Sequence, residues 1–293
     1  MAPFPAFLRL LAPGMTDKND RHKRLRQMAG SERVFVQAIR RYCARHGIAV
    51  DVRAGGWLIA MHLGETRRFA FGYDIGLNSA IAHRLANDKS ATAEALTLAQ
   101  VPCIPHQLFL NPRLGVHVAG PGWHQAILAL LAQNPQGIVV KPNEGTSGRA
   151  VFKVTTEAEL DHAVREVFSM STGLVISPYV AIEEEVRVVL LDDVPFVVYS
   201  KHRGSDWRHN LDAGAKPVLL ADGEVSAACV KLAIDAARAI GIVFASIDVV
   251  RVDGAWRVLE INSGVMMEAL AKLHPELVQA AYDAALDRVF GKR

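Results

Sequence analysis

Residues 138–154 read IVVKPNEGTSGRAVFKV. An apolar run leads to Lys141, a loop of Glu144, Gly145, Thr146, Ser147 and Gly148 follows, and a second apolar run (Val151, Phe152, Val154) comes after it. Glycines beside a lysine suggest phosphate, yet a P-loop needs G-x-x-x-x-G-K-[ST] opening into a helix. Here the lysine precedes the glycines and a strand follows them. The stretch is therefore strand, glycine loop, strand: a hairpin whose loop N–H groups can turn toward an anion.

The surrounding sequence agrees with that choice. Residues 33–47 show helical spacing with Gly47 as a stop, and strand-like runs follow at 57–63 and 67–75. Residues 78–86 and 90–100 read as helices, the second ended by Pro102 and Pro105, and 123–133 as another. After the glycine hairpin, Thr156 and Glu159 form a capping box that opens a helix over 157–170. Strands are expected at 173–180 and over 184–202, the latter a hairpin turning near Asp192-Asp193. A polar loop spans about 203–216, helix 225–240 follows, then a hairpin over 245–262 and a last helix through 276–289. Runs of hairpins with interspersed helices indicate an α+β protein, without the βαβ alternation of a doubly wound sheet.

Composition narrows the class. A chain of 293 residues, 51% hydrophobic, can bury a core without disulfide staples. The 3 cysteines, Cys43, Cys103 and Cys229, are odd in number and scattered, which speaks against a disulfide framework and for a cytoplasmic location. A net charge of +3 is too small to imply a nucleic-acid partner. No apolar stretch approaches the ~20 residues of a membrane span. The opening MAPFPAFLRLLAPGM is short and broken by prolines, so an extension or docking segment is expected there in preference to a signal peptide. Residues 1–55 carry 11 Lys/Arg against 4 Asp/Glu, which a solvated helix or arm explains more simply than an anionic partner.

The strongest chemical constellation is IDVVRVDGAWRVLEIN, residues 247–262. Asp248 lies on one strand, Glu260 and Asn262 on the next, and all three offer hard oxygen ligands suited to magnesium. Glu260 and Asn262 share a face by strand alternation. Asp248 faces Glu260 only if the hairpin is centred on Gly254, which asks for an odd-numbered loop such as a three-residue turn with a bulge. A two-residue Asp-Gly loop puts Asp248 opposite Leu259 instead. Lysines add to this pattern: Lys89 opens a helix, and Lys141 and Lys201 end strands. Three such lysines, a glycine loop and a carboxylate hairpin together suggest a metal-bound polyphosphate.

The ordered set NDKSATAEALTLAQVPCIP, VVKPNEGTSGRAV, VISPYVAIEEEVRVVLLDD, SKHRGSDWRHNLDAGA, SIDVVRV and VLEINSG resembles the ATP-grasp carboxylate–amine ligases. The match is closest to RimK-type glutamyl ligases and bacterial glutathione synthetases, and it covers roughly residues 85–270. The resemblance implies an ATP-grasp fold, two α+β subdomains clamping ATP, with a reduced N-terminal domain. On that division residues 1–86 form the reduced N-terminal domain, 87–180 the lid subdomain with linker helices, and 181–293 the catalytic subdomain.

By position, Lys89 and Lys141 look like the lysines that hold nucleotide phosphates, and the loop Glu144, Gly145, Thr146, Ser147, Gly148 like the lid above them. Ser177, Pro178, Tyr179 and Val180 resemble the hinge that reads adenine through the carbonyl of Pro178 and the N–H of Val180. Glu185 looks like the ribose-binding acid, with an ordinary exposed acid as the competing explanation. Lys201 is similar to the γ-phosphate lysine. Asp248, Glu260 and Asn262 look like ligands for magnesium, two ions or manganese in their place. Arg187, Arg208 and Asn210 match positions that meet the acyl phosphate, substrate or metal. Substrate contacts are expected at Tyr73, His202, Ser263 and Gly264, and Met266 and Met267 are read as core more readily than as pocket lining.

The implied activity is ATP-dependent activation of a carboxylate, an amino acid or small peptide, as an acyl phosphate that an amine then attacks. ADP and phosphate are released. The alternatives are a carboxylate kinase that stops at phosphate transfer and a non-catalytic nucleotide-binding module. The partners implied are small molecules, with a homodimer left open.

Overall fold

The computed structural model describes residues 32–115, 122–145, 148–202, 215–221 and 223–292. Thr146, Ser147, Arg208, Asn210 and the basic N-terminal arm lie outside the described residues. Three antiparallel sheets and the helices around them make an α+β architecture. No helix among the described residues is long and apolar enough to cross a membrane.

Helix α1 (Val34–Arg45) precedes a meander of β1 (Ala49–Arg53), β2 (Leu58–Leu63) and β3 (Thr66–Phe71). Helices α2 (Ala80–Asn87) and α3 (Lys89–Leu98) follow, with Ser79 and Asp88 capping their first turns. A four-stranded sheet is ordered β4 (Gln107–Leu110), β7 (Gly173–Pro178), β5 (Ile138–Pro142), β6 (Phe152–Val154). One face is covered by α4 (Trp123–Gln133) and α5 (Glu157–Met170), which bury Ile127, Leu160 and Val167 against Ile138, Val140 and Ile176. The Thr156–Glu159 capping box forms as the sequence indicated: Thr156 Oγ1 accepts from Glu159 N at 3.3 Å, and Glu159 Oε2 accepts from Thr156 N at 3.1 Å. Alternation sends Lys141, Val139 and their partners Val175 and Ser177 to the other face.

The third sheet has five strands in the order β10 (Lys216–Leu219), β9 (Val194–His202), β8 (Glu184–Leu191), β11 (Phe244–Val252), β12 (Ala255–Asn262). Helix α6 (Glu224–Ile240) crosses one face on small residues, Cys229, Ala233, Ala236 and Ala237, and these pack on Val186, Val188 and Ile247. The opposite face is divided. Val189, Val197, Tyr199 and Phe244 join a core with Phe35 and Ile39 of α1 and with Tyr282 of α8 (Pro275–Val289), which follows the short α7 (Glu268–Ala271). The rest of that face carries Glu185, Arg187 and Asp248.

The carboxylate hairpin meets the geometric demand by a different route. Its loop is the two-residue Asp253-Gly254, with both φ values positive (50° and 73°) and Val252 opposite Ala255, so the expected three-residue turn is not formed. Asp248 nonetheless pairs with Glu260, because a bulge lies between the Val249–Val258 and Asp248–Glu260 pairs. Leu259 is the extra residue, and its side chain packs beside Val250, Val252 and Ile104. The segment before β4 supports the bulge, as Ile104 N donates to Val258 O and Val258 N donates to Pro102 O, both at 2.9 Å.

Gly137 anchors the glycine hairpin at its base. It has φ +98°, and a Cβ there would lie 2.6 Å from Val154 O. Gly137→Ala is expected to lower the unfolding free energy by about 1–3 kcal/mol, through strain plus backbone clash. Gly47, also left-handed at φ +65° but with open space around it, is the control; Gly47→Ala is expected to cost only about 1 kcal/mol. Equal losses in urea unfolding would contradict this account.

Candidate active site

Strand register assembles a charged row across the five-stranded sheet. Arg187 of β8 pairs with Tyr199 of β9 on one side and Asp248 of β11 on the other, and Asp248 pairs onward with Glu260 of β12. Arg187 donates from Nε to Asp248 Oδ1 and from Nη2 to Oδ2, both at 2.6 Å, a bidentate pair. Lys201 Nζ lies 2.6 Å from Glu185 Oε1 and 2.9 Å from Asp248 Oδ2. Two cations and two carboxyl groups thus meet in a buried setting, with Asp248 only 1% exposed.

Burial disfavours ionisation of Asp248, but Arg187 and Lys201 outweigh it and hold the carboxyl well below the usual range. Burial and Arg187 work against the Lys201 ammonium, and Asp248 and Glu185 raise it. Glu185 is pushed up to about 7 by its burial, against the pull of Lys201. Glu185 is therefore a buried, paired acid, and the alternative of an ordinary exposed acid does not hold.

Lys89 and Lys141 stand opposite this row. Lys89 is the first residue of α3, and its Nζ donates to Gly145 O at 3.0 Å and Asn143 O at 3.4 Å, tying the helix to the glycine hairpin. Asn143 Oδ1 also accepts from Ser90 N at 3.1 Å. Lys141 is buried on its strand; burial lowers its pKa to about 8, Glu260 and Glu185 work against that shift, and Lys89 adds to it. Lys89 from α3 and Lys141 from the four-stranded sheet thus both face Glu260 of the five-stranded sheet.

The remaining expected residues fall around this centre. Glu144 bridges to Asp88 at the start of the loop, and Gly145 and Gly148 have positive φ, 151° and 64°. Ser177 and Pro178 end β7, and Tyr179 and Val180 begin the connection to β8. Tyr179 N donates to Gly137 O at 3.0 Å and its ring receives the Lys153 ammonium 3.4 Å from the centroid, while Val180 packs with Ile104. His202 is exposed at the end of β9. Ser263 is buried near Asn87, Gly264 lies against Tyr73, and Tyr73 donates to Glu268 Oε1 at 2.6 Å. Met267 is core, as read from the sequence.

The donor set suits magnesium. Asp248, Glu260 and Asn262 bring two carboxylates and an amide oxygen together, with Asn262 Nδ2 donating to Glu260 Oε1 at 3.3 Å. Among the described residues no group of three His, Cys, Asp or Glu converges to hold a metal. Asp248 Oδ2 already meets both Arg187 and Lys201, whereas Oδ1 meets Arg187 alone and keeps a lone pair for a metal.

A family model described as the RimK-like ATP-grasp domain matches residues 124–278. The chain belongs to the RimK-like ATP-grasp family. Among named relatives, a ribosomal protein bS6–L-glutamate ligase of Escherichia fergusonii is 23% identical over 235 residues, 78% of this chain and 72% of that protein. A probable alpha-L-glutamate ligase of Shewanella pealeana is 25% identical over 188 residues, 61% of this chain and 40% of that one. Similar solved structures include a D-alanine–D-alanine ligase from Bacillus anthracis (TM-score 0.56, 20% identity, 73% of this chain and 69% of that one). A bifunctional glutathione synthetase from Pasteurella multocida also matches (TM-score 0.52, 13% identity, 87% of this chain and 45% of that one). At these identities the structural likenesses establish the ATP-grasp fold.

Several residues of this ATP-grasp site were not singled out by sequence reasoning. His106 is buried, donates through Nδ1 to Ile104 O at 2.9 Å, and leaves Nε2 without a partner; burial and the two lysines keep its pKa well below the ordinary value. Asn143 and Tyr199 are the others, and only their strand or loop neighbours could have marked them. Above the Glu185 pKa of about 7, Lys201→Met leaves Glu185 without its cation and Asp248 with one of its two, and is expected to cost about 3–5 kcal/mol in urea unfolding at alkaline pH. Adding Glu185→Gln should recover more than half of that loss; additive losses would contradict the pairing.

Proposed function

We propose that this protein is an ATP-dependent ligase that activates a carboxylate as an acyl phosphate and joins it to an amine with release of ADP and phosphate. The observation that carries this reading is the opposition of Lys89 and Lys141 on one side to the buried Arg187–Asp248–Lys201–Glu185 group, with Glu260 and Asn262 at its edge. A carboxylate is a poor electrophile, and phosphoryl transfer needs mainly positioning and charge neutralisation. Lys89 and Lys141 would hold the nucleotide phosphates, and Lys201 and Arg187 would meet the transferring group. The ion pairs with Asp248 and Glu185 keep those two cations charged and aimed before the anion arrives. Asp248, Glu260 and Asn262 would hold magnesium, which supplies further neutralisation of the phosphate oxygens. The loop from Glu144 to Gly148 would cover the site and keep water from the acyl phosphate. The hinge from Ser177 to Val180 would seat adenine and Glu185 the ribose, and Arg208 and Asn210 would act at the transferring group. The relatives' names make L-glutamate the first substrate to try.

Incubation with ATP, magnesium and an amino-acid panel should yield ADP and phosphate only when both a carboxylate and an amine are present. AMP would rule out the acyl-phosphate route, and ATP binding without turnover would favour a nucleotide-binding module. Glu260→Ala should abolish turnover with an unchanged unfolding midpoint.

Lys141 yields a pH prediction. Its lowered pKa means the free site loses this positive charge as pH rises through about 8, so affinity for a non-hydrolysable ATP analogue should weaken above that pH. Lys141→Arg stays charged and should flatten the profile; an unchanged inflection in that variant would contradict the assignment.

A further inference from the structure

The seam between the N-terminal meander and the five-stranded sheet holds polar atoms that the protein leaves unanswered. Glu268 stands at the start of α7, its Oε1 accepting from Tyr73, while its Oε2 is buried and has no hydrogen-bond partner. The hydroxyl of Tyr199, a fully buried residue, likewise has none of ordinary length and faces the Arg187 guanidinium. Ser246 Oγ, on the strand residue paired with Asn262 and two residues from Asp248, has no partner either. Tyr282 ties the first two together: its ionisation is opposed by burial and by the nearby Glu268, Tyr73 and Tyr199. Its own hydroxyl is spent on Val265 O at 2.9 Å.

A buried carboxylate oxygen without a donor is costly, and its natural complement is a cation carrying several N–H groups. Arg33 is the cation near Tyr73, but its guanidinium is committed. It donates to the carbonyls of Gly72 and Gly56 and lies over the rings of Trp57 and Tyr73, 5.0 and 4.7 Å from their centroids. Among the described residues Glu268 forms no ion pair. The seam also adjoins the catalytic centre in sequence and in space. Gly264, two residues past Asn262, lies so close that a Cβ there would be 3.2 Å from Tyr73 Cβ.

We propose that Glu268, oriented by Tyr73, receives the protonated amino group of a primary-amine substrate. Assigning that cation to the ligase's own substrate rests on the function proposed above; the ammonium site itself does not. One N–H of that ammonium would donate to Glu268 Oε2. Tyr73 is a positioning residue that fixes the carboxylate from the N-terminal meander, which gives this small lobe a role in substrate choice.

The test is binding, measured without turnover. Protein saturated with magnesium and a non-hydrolysable ATP analogue is titrated by calorimetry with the twenty proteinogenic amino acids, and with the N-acetyl derivative of each one that binds. Wild-type protein should bind at least one amino acid and lose it on N-acetylation. Glu268→Gln, which keeps size but removes charge, should weaken binding at least tenfold, and Tyr73→Phe should weaken it less, with unfolding midpoints and analogue affinity retained. Absence of binding across the panel, equal binding of the N-acetyl form, or unchanged affinity in Glu268→Gln would overturn the proposal. The ligase reading stands or falls separately, on nucleotide turnover.

Discussion

The site depends on how the Asp248 carboxylate is kept ionised inside the protein. Taking a carboxylate out of water is expensive unless cations and hydrogen bonds replace the solvent. Here a bidentate guanidinium and an ammonium do so, and they come from the next two strands of the same sheet. That requirement fixes Arg187 beside Asp248 and Lys201 within reach of both Asp248 and Glu185. A register slip of one residue in β8 would turn Arg187 to the α6 face and leave Asp248 stranded. The same arrangement leaves two cations aimed at one place before any ligand enters, which is how preorganised electrostatics lowers the cost of developing charge. On the proposed function, an arriving phosphate would compete for cations that are already positioned.

Much of the framework was legible from local chemistry. The glycine hairpin at 138–154, the Thr156–Glu159 cap and the turn at Asp192-Asp193 depend on residues close in sequence, and each forms as read. Lys89, Lys141, Asp248, Glu260 and Asn262 stood out because polar groups at the ends of apolar runs need a reason. Their convergence from one helix and two sheets follows from that pattern and from the ordered motifs together.

What escaped the sequence depended on pairing across strands. The bulge at Leu259 has no signal of its own: Asp-Gly favours a two-residue turn, and only the apolar cluster around Ile104 and the backbone bonds to Pro102 and Ile104 make the extra residue affordable. Glu185 sat in a run of three acids that looks like surface, and its burial becomes plain only when Lys201 is seen across from it. His106 and Glu268 are isolated polar residues beside a proline and two methionines. Their partners, Ile104 and Tyr73, are set by a local turn in one case and by a contact across the whole chain in the other.

The central claim is that oxygen passes from the activated carboxylate to phosphate. Turnover with a carboxylate substrate labelled with oxygen-18 in both carboxyl oxygens, followed by mass spectrometry of the released phosphate, tests it most directly. The account predicts one labelled oxygen per phosphate alongside ADP. Unlabelled phosphate with ADP formation coupled to amide product would contradict it.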